Sequence, residues 1–261
     1  MESRTQDIAR QTAIIAAATF MLIAAAVGSG AFGGTSVSEL QGGALSAEGS
    51  YLAPAGPAFS IWSLIYIGLI AYTVWQALRA DERQRAVGWW IAASMVFNGL
   101  WLVTAQFLSL PLTVLVIAML LAILARVIVI LGRSRPRTVP ELILVDGANG
   151  LHFGWVTIAT VANTSAWLTQ IAPADWADQA EVWAVAVLVV VLVIGVASAL
   201  VTKRIAPALA TAWGLAWLAV GRLTGEPDST VTAVAGIVVA VALVVAGVVG
   251  VLRGRRTASR A

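Results

Sequence analysis

The stretch 141–170, ELILVDGANGLHFGWVTIATVANTSAWLTQ, sets Asp146, Asn149, His152 and Asn163 in an apolar run long enough to cross a bilayer. Carboxylates, amides and imidazoles are costly in hydrocarbon, so they normally face a bundle interior, a cavity or one another. On a helix, residues three apart are neighbours, so Asp146 and His152 bracket Asn149, and Trp155 continues the drift around the surface. Asn163 returns toward the His152 side. Gly147, Gly150 and Gly154 cut side-chain bulk beside this polar seam and admit a neighbouring helix or a planar ligand. Asp146, near one end of the run, has two readings: a proton or ion site, or a carboxylate satisfied by its helix neighbours. His152 has three: a haem or metal ligand, a pocket wall, or a structural hydrogen bond. It is the sole histidine and there is no cysteine, so no multi-histidine or thiolate metal centre is expected.

Aromatic residues supply the rest of a candidate site. Of eleven tryptophans, some are membrane-interface anchors. Trp62 and Tyr66 share a face at four-residue spacing, Asn98 and Trp101 at three, and Trp213 and Trp217 at four. Flat rings in a low-dielectric pocket favour a flat hydrophobic ligand, while Asn98, Asn149 and His152 orient its polar groups. The chain has no phosphate-cradling glycine loop, no His-Glu-x-x-His helix and no Gly-x-Ser-x-Gly elbow, so no catalytic residue is assigned. These residue types point to binding and identify no reaction.

Helices must position them. With 60% hydrophobic and 11% charged residues and a mean hydropathy of +0.90, the chain reads as a polytopic all-α membrane protein. Eight spans are expected near 12–32, 57–79, 87–109, 111–131, 141–170, 182–202, 206–222 and 229–252. With the N-terminus inside, fifteen of the sixteen Lys and Arg residues fall on the cytoplasmic side, and Arg222 alone does not. Both termini are therefore expected in the cytoplasm, across a bacterial-type inner membrane. The basic residues follow topology and form no nucleic-acid surface. Arg10, the apolar run after it and AVGSGAFGG have the layout of a signal peptide, but the run is long enough to be read as a first span. The loop 33–56 is rich in glycine and small polar groups and has two readings, a solvated connection or a cover over an external pocket. The arginines of GRSRPRTVP are read as topology determinants, with anionic-lipid contact as the alternative. In the last span, Gly236 with Ala240 and Ala246 with Gly250 are candidate helix or dimer seams.

Three fragments, in matching order, carry a family resemblance. YLAPAGPAFSIWSLIYIGLIAYTVW (51–75), FNGLW (97–101) and GWVTIATVANTSAW (154–167) resemble segments of the translocator protein / tryptophan-rich sensory protein family (TspO/MBR-like), over about residues 10–170. The resemblance implies a five-helix bundle with a pocket toward the first long loop, binding porphyrin, haem-related tetrapyrrole or sterol-like ligands, and a homodimer. By resemblance the pocket includes Trp62, Tyr66, Asn98, Trp101, Trp155, Ala159 and Asn163. The family's first loop carries a Trp-Tyr pair and a Lys-Pro, whereas 33–56 has neither Trp nor Lys, so this chain departs from the family at the loop residues that bear on ligand preference.

The expectation is thus a TspO-like five-helix domain over 1–170 and a three-helix membrane extension over 171–261. It binds a planar hydrophobic ligand, porphyrin or haem included, and requires no cofactor. Three rivals stand beside it: a small-solute or ion transporter using Asp146, a pigment-converting enzyme, and a structural partner subunit.

Overall fold

Where no water is at hand to satisfy the backbone, an apolar run closes its own hydrogen bonds as a helix. A computed structural model describes residues 2–28 and 35–258, and they are helical in every long apolar run. The helices are α1 (Glu2–Gly28), α2 (Ile61–Gln76), α3 (Glu82–Phe107), α4 (Leu110–Gly132), α5 (Val139–Ile171), α6 (Ala180–Thr202), α7 (Ala206–Thr224) and α8 (Thr230–Ala258). Among the described residues seven are long and apolar enough to cross a membrane, and the protein is a multi-pass membrane protein. The eighth expected span is α7, whose Thr211, Trp213, Trp217 and Arg222 set it apart from the seven. Most of AVGSGAFGG, the start of the loop 33–56 and Arg260 lie outside the described residues.

Local signals fix the boundaries. Asp81 caps α3 by accepting from Gln84 N at 3.0 Å. Pro57 sits in a 3₁₀ turn, Gly56–Ser60, that leads into α2, and Pro111 and Pro207 occupy first turns. Thr138 caps α5, which then widens into a π-helical turn over Leu142–Gly147 before resuming as α-helix. The widened turn holds Asp146, so its phase differs from that of Asn149 onward.

Neighbours run α1–α3–α4–α5–α7–α8–α6, with α2 laid on α5 and α1. α5 is the shared member. Its Trp155 joins a core with Ile65, Leu69, Ile91 and Met95, while its Ile158 joins a second core with Leu188, Leu215 and Leu243. The α5–α7 approach requires Gly154, where an added Cβ would lie 2.2 Å from Pro207 O. Gly250 does the same for α8 against α6, its absent Cβ standing 2.3 Å from Ala199 O. The Ala246–Gly250 pair therefore forms a seam within the chain. Around the outside, Ile67, Val74, Leu115, Val182, Val193 and Val241 are exposed, as lipid-facing residues are.

One end of the bundle collects the charges. Arg83 donates to Glu141 at 2.7 Å and to both oxygens of Asp146 at 2.9 and 2.7 Å. Arg204, in the α6–α7 turn, donates to Asp146 Oδ1 at 2.6 Å and to the carbonyls of Leu131 and Ser134. Beside this knot the buried Arg10 donates to Gln76 and to Arg79 O. Asp7 joins the same cluster, ion-paired with Arg85 and Arg10.

Candidate functional site

At the opposite end from the ionic knot, α2, α3, α4 and α5 surround a narrow cavity with free space of about 40 Å³. Trp62 comes from α2, Asn98 and Trp101 from α3, Ile117 and Leu120 from α4, and Trp155, Val156, Ala159 and Asn163 from α5. Phe59 and the first loop close it, with Val37, Ala44, Leu45, Ser46, Ala53 and Pro54 on the wall. Its lining is chiefly aromatic and aliphatic, and the rings touch one another. Trp155 meets Phe59 edge-on at 5.5 Å and Trp62 at 6.1 Å, and Trp62 stacks on Tyr66 at 5.4 Å.

Amides hold the rings in place. Asn163 accepts from Trp101 Nε1 at 2.9 Å and donates to Thr113 Oγ1 at 3.0 Å, so it joins α3, α4 and α5. Tyr66 OH donates to Asn98 Oδ1 at 3.1 Å, and no partner for Asn98 Nδ2 occurs among the described residues. Trp155 is 1% exposed, and its Nε1 has no hydrogen-bond partner among them. A buried donor left unpaired is costly and calls for an explanation.

Six of the nine residues read from the sequence as ligand-binding border this cavity: Trp62, Asn98, Trp101, Trp155, Ala159 and Asn163. The other three stand behind the wall. Tyr66 supports Trp62 and Asn98. His152 is wholly buried, lies edge-on to Trp62 at 5.9 Å, and has no partner for either nitrogen among the described residues. Of its three readings, the structural hydrogen bond finds no protein partner among the described residues. Asn149 Nδ2 donates to Val145 O at 2.8 Å, while its Oδ1 is unpaired. Asp146 lies in the ionic knot, away from the cavity, with both oxygens taken by guanidinium groups. That arrangement leaves no free carboxylate for a cation, because two opposite charges already neutralise it.

Residues not singled out as site residues fasten the lid. Gln41 Nε2 donates to Ala105 O at 2.8 Å and ties the loop to α3. Arg222 is 1% exposed and donates to Ala47 O at 2.7 Å and Pro227 O at 2.8 Å, joining the first loop to the α7–α8 turn. Ala55 N donates to Trp217 O at 3.1 Å, and Trp213 Nε1 donates to Ala58 O at 2.9 Å. Trp213 and Trp217 thus brace the start of α2 and do not line the cavity. Arg222 had a signal in the sequence: it was the one basic residue that broke the charge asymmetry.

A family model described as TSPO-like protein matches residues 10–249. The chain belongs to this family. The match runs beyond residue 170, through α6 and α7 and most of α8, so this TSPO-like protein is recognised well past its first five helices. No curated protein and no solved structure gives a significant match. Among the described residues no group of three or more His, Cys, Asp or Glu is placed to hold a metal ion.

Proposed function

We propose that this TSPO-like protein is a membrane-embedded binding or sensory protein whose cavity takes a planar hydrophobic ligand, a porphyrin or related tetrapyrrole. The observation that carries this reading is Trp155. Its indole N–H, without a partner among the described residues, is buried at the wall of a cavity built from Phe59, Trp62 and Trp101. A ligand with a broad π-face and an acceptor group satisfies that donor and stacks on the neighbouring rings. The amide hydrogens of Asn98 Nδ2 provide a second donor. The chamber as it stands has free space of only about 40 Å³, well short of a small-molecule pocket, so a ligand enters by opening it. The rings now touch, so binding interleaves the ligand between them and moves Phe59 and the loop outward. Asn149 Oδ1 and His152 come within reach of a polar substituent once Trp62 swings.

On this reading residues 1–170 form the ligand-binding unit and 171–261 an extension whose α7 anchors the lid. The arginine-bearing end faces the cytoplasm with both termini, and the lid faces outward across an inner membrane. Homodimerisation, implied by the family resemblance, belongs to the same reading and is checked by native mass. The test of the ligand is a protoporphyrin titration followed by the shift of its absorption band. The double variant Trp101→Phe, Trp155→Phe should bind about tenfold more weakly, from the smaller ring faces at both positions and the loss of the Trp155 N–H donor. A Trp176→Phe control, remote from the cavity, should bind as the parent does. Equal affinity in the double variant and the parent would overturn the assignment.

A further inference from the structure

The arginines of GRSRPRTVP do more in the folded chain than share a side of the membrane. They meet Arg126 around an open groove between α3 and α4 at the arginine-bearing end, of about 570 Å³. Glu82 is the one acidic residue on its wall. Arg83, which also borders it, is already committed to Glu141 and Asp146. Arg135 Nη2 donates to Gly254 O. Arg126, Arg133 and Arg137 make no salt bridge to a carboxylate among the described residues. Arg126 instead lies over the ring of Trp90, 5.8 Å from its centroid. Trp90 is 40% exposed, and Ile130 completes an apolar side to the same groove. The topological rule asks only that basic residues lie on one side. It does not ask that they converge on a groove whose other wall is apolar.

We propose that this groove holds the headgroup of an anionic phospholipid. The phosphodiester lies among Arg126, Arg133 and Arg137, and the acyl chains run past Trp90 and Ile130 into the bilayer. Guanidinium groups match phosphate oxygens with paired, charge-assisted hydrogen bonds. A basic pocket between membrane helices at the cytoplasmic boundary is where such headgroups bind. The apolar wall selects a lipid over a free anion, because inorganic phosphate has nothing to place against Trp90. The site is remote from the porphyrin cavity and independent of it.

Native mass spectrometry of the full chain, loaded in turn with phosphatidylglycerol, phosphatidylcholine and inorganic phosphate, tests the proposal. Phosphatidylglycerol should be retained, phosphatidylcholine lost, and excess inorganic phosphate unable to displace the bound lipid. The triple variant Arg126→Gln, Arg133→Gln, Arg137→Gln should hold phosphatidylglycerol about a hundredfold more weakly, since each basic group near the surface contributes roughly a fivefold attraction. If the triple variant does not fold, Arg133→Gln alone, at an exposed position, must still weaken retention. Equal retention of the two lipids, displacement by phosphate, or variants that hold phosphatidylglycerol as the parent does would each overturn it.

Discussion

Asn163 and Trp155 lie two turns apart on one helix and illustrate two different uses of a buried polar group. Asn163 is spent on structure: its oxygen and its amide hydrogens join Trp101 to Thr113. Asn163→Leu should therefore destabilise the protein by about 2 kcal/mol, because it leaves the Trp101 N–H unpaired in a dry interior. Trp155 Nε1 has no protein partner to lose among the described residues. Trp155→Phe trims a ring packed in the core, so it too should lower the melting temperature, while weakening porphyrin binding through the lost N–H. Thermal unfolding in detergent, run beside the titration, follows both effects. Unchanged porphyrin affinity in Trp155→Phe would mean that Trp155 is a packing residue and no ligand donor. The list of polar residues on α5 was legible at this scale, since imidazole, amide and carboxylate groups stand out in an aliphatic run. Their partners were not: Tyr66 finds Asn98 across 32 positions and Trp101 finds Asn163 across 62.

The helices themselves were legible because apolar length is sufficient to specify a helix in lipid. Each long expected run is a helix, with ends displaced where short-range chemistry intervenes, as at the 3₁₀ turn before α2. The π turn of α5 was not legible, since no residue type signals it, and it sets the direction of Asp146. A carboxylate inside a span invites a reading as an ion site. The structure instead gives Asp146 two arginines, from 63 positions earlier and 58 positions later in the chain. Arg204→Gln should lower stability by about 3 kcal/mol, because removing one partner of a buried ion pair leaves the other under-compensated. Asp146→Asn should cost a similar amount, and the double variant less than the sum, since both changes break the same contact. Chemical unfolding of the four proteins measures that coupling. Full additivity would show that Arg204 and Asp146 do not act together. Porphyrin affinity should be unchanged throughout, since the knot lies at the other end of the bundle.

At the scale of the molecule, the last three helices are joined to the first five at both ends. Arg204 closes the arginine-bearing end through Asp146, and α7 closes the opposite end through the lid. The joint at the lid rests on Arg222, whose guanidinium bonds the carbonyl of Ala47 in the first loop and those of Glu226 and Pro227 in the α7–α8 turn. It is buried to 1% exposure with no salt bridge among the described residues, so carbonyl dipoles compensate its charge, with the Glu226 carboxylate acting from farther off. That is an expensive way to pin a loop, and a lid that must stay shut over a hydrophobic chamber is a reason for the expense. Arg222→Met keeps the bulk and removes the charge and the donors. The helices should remain assembled, because α7 still meets α5 through Gly154 and α8 through its own core. The loop, however, loses its tie to α7 near Ala47 and should open more often. Limited proteolysis between residues 35 and 56 should become faster, and porphyrin should both enter and leave faster, with a smaller change in affinity than in either rate. Unchanged rates together with an unchanged cleavage pattern would mean that Gln41 and the Ala55–Trp217 bond suffice to hold the lid. The last three helices would then brace the chamber without controlling access to it.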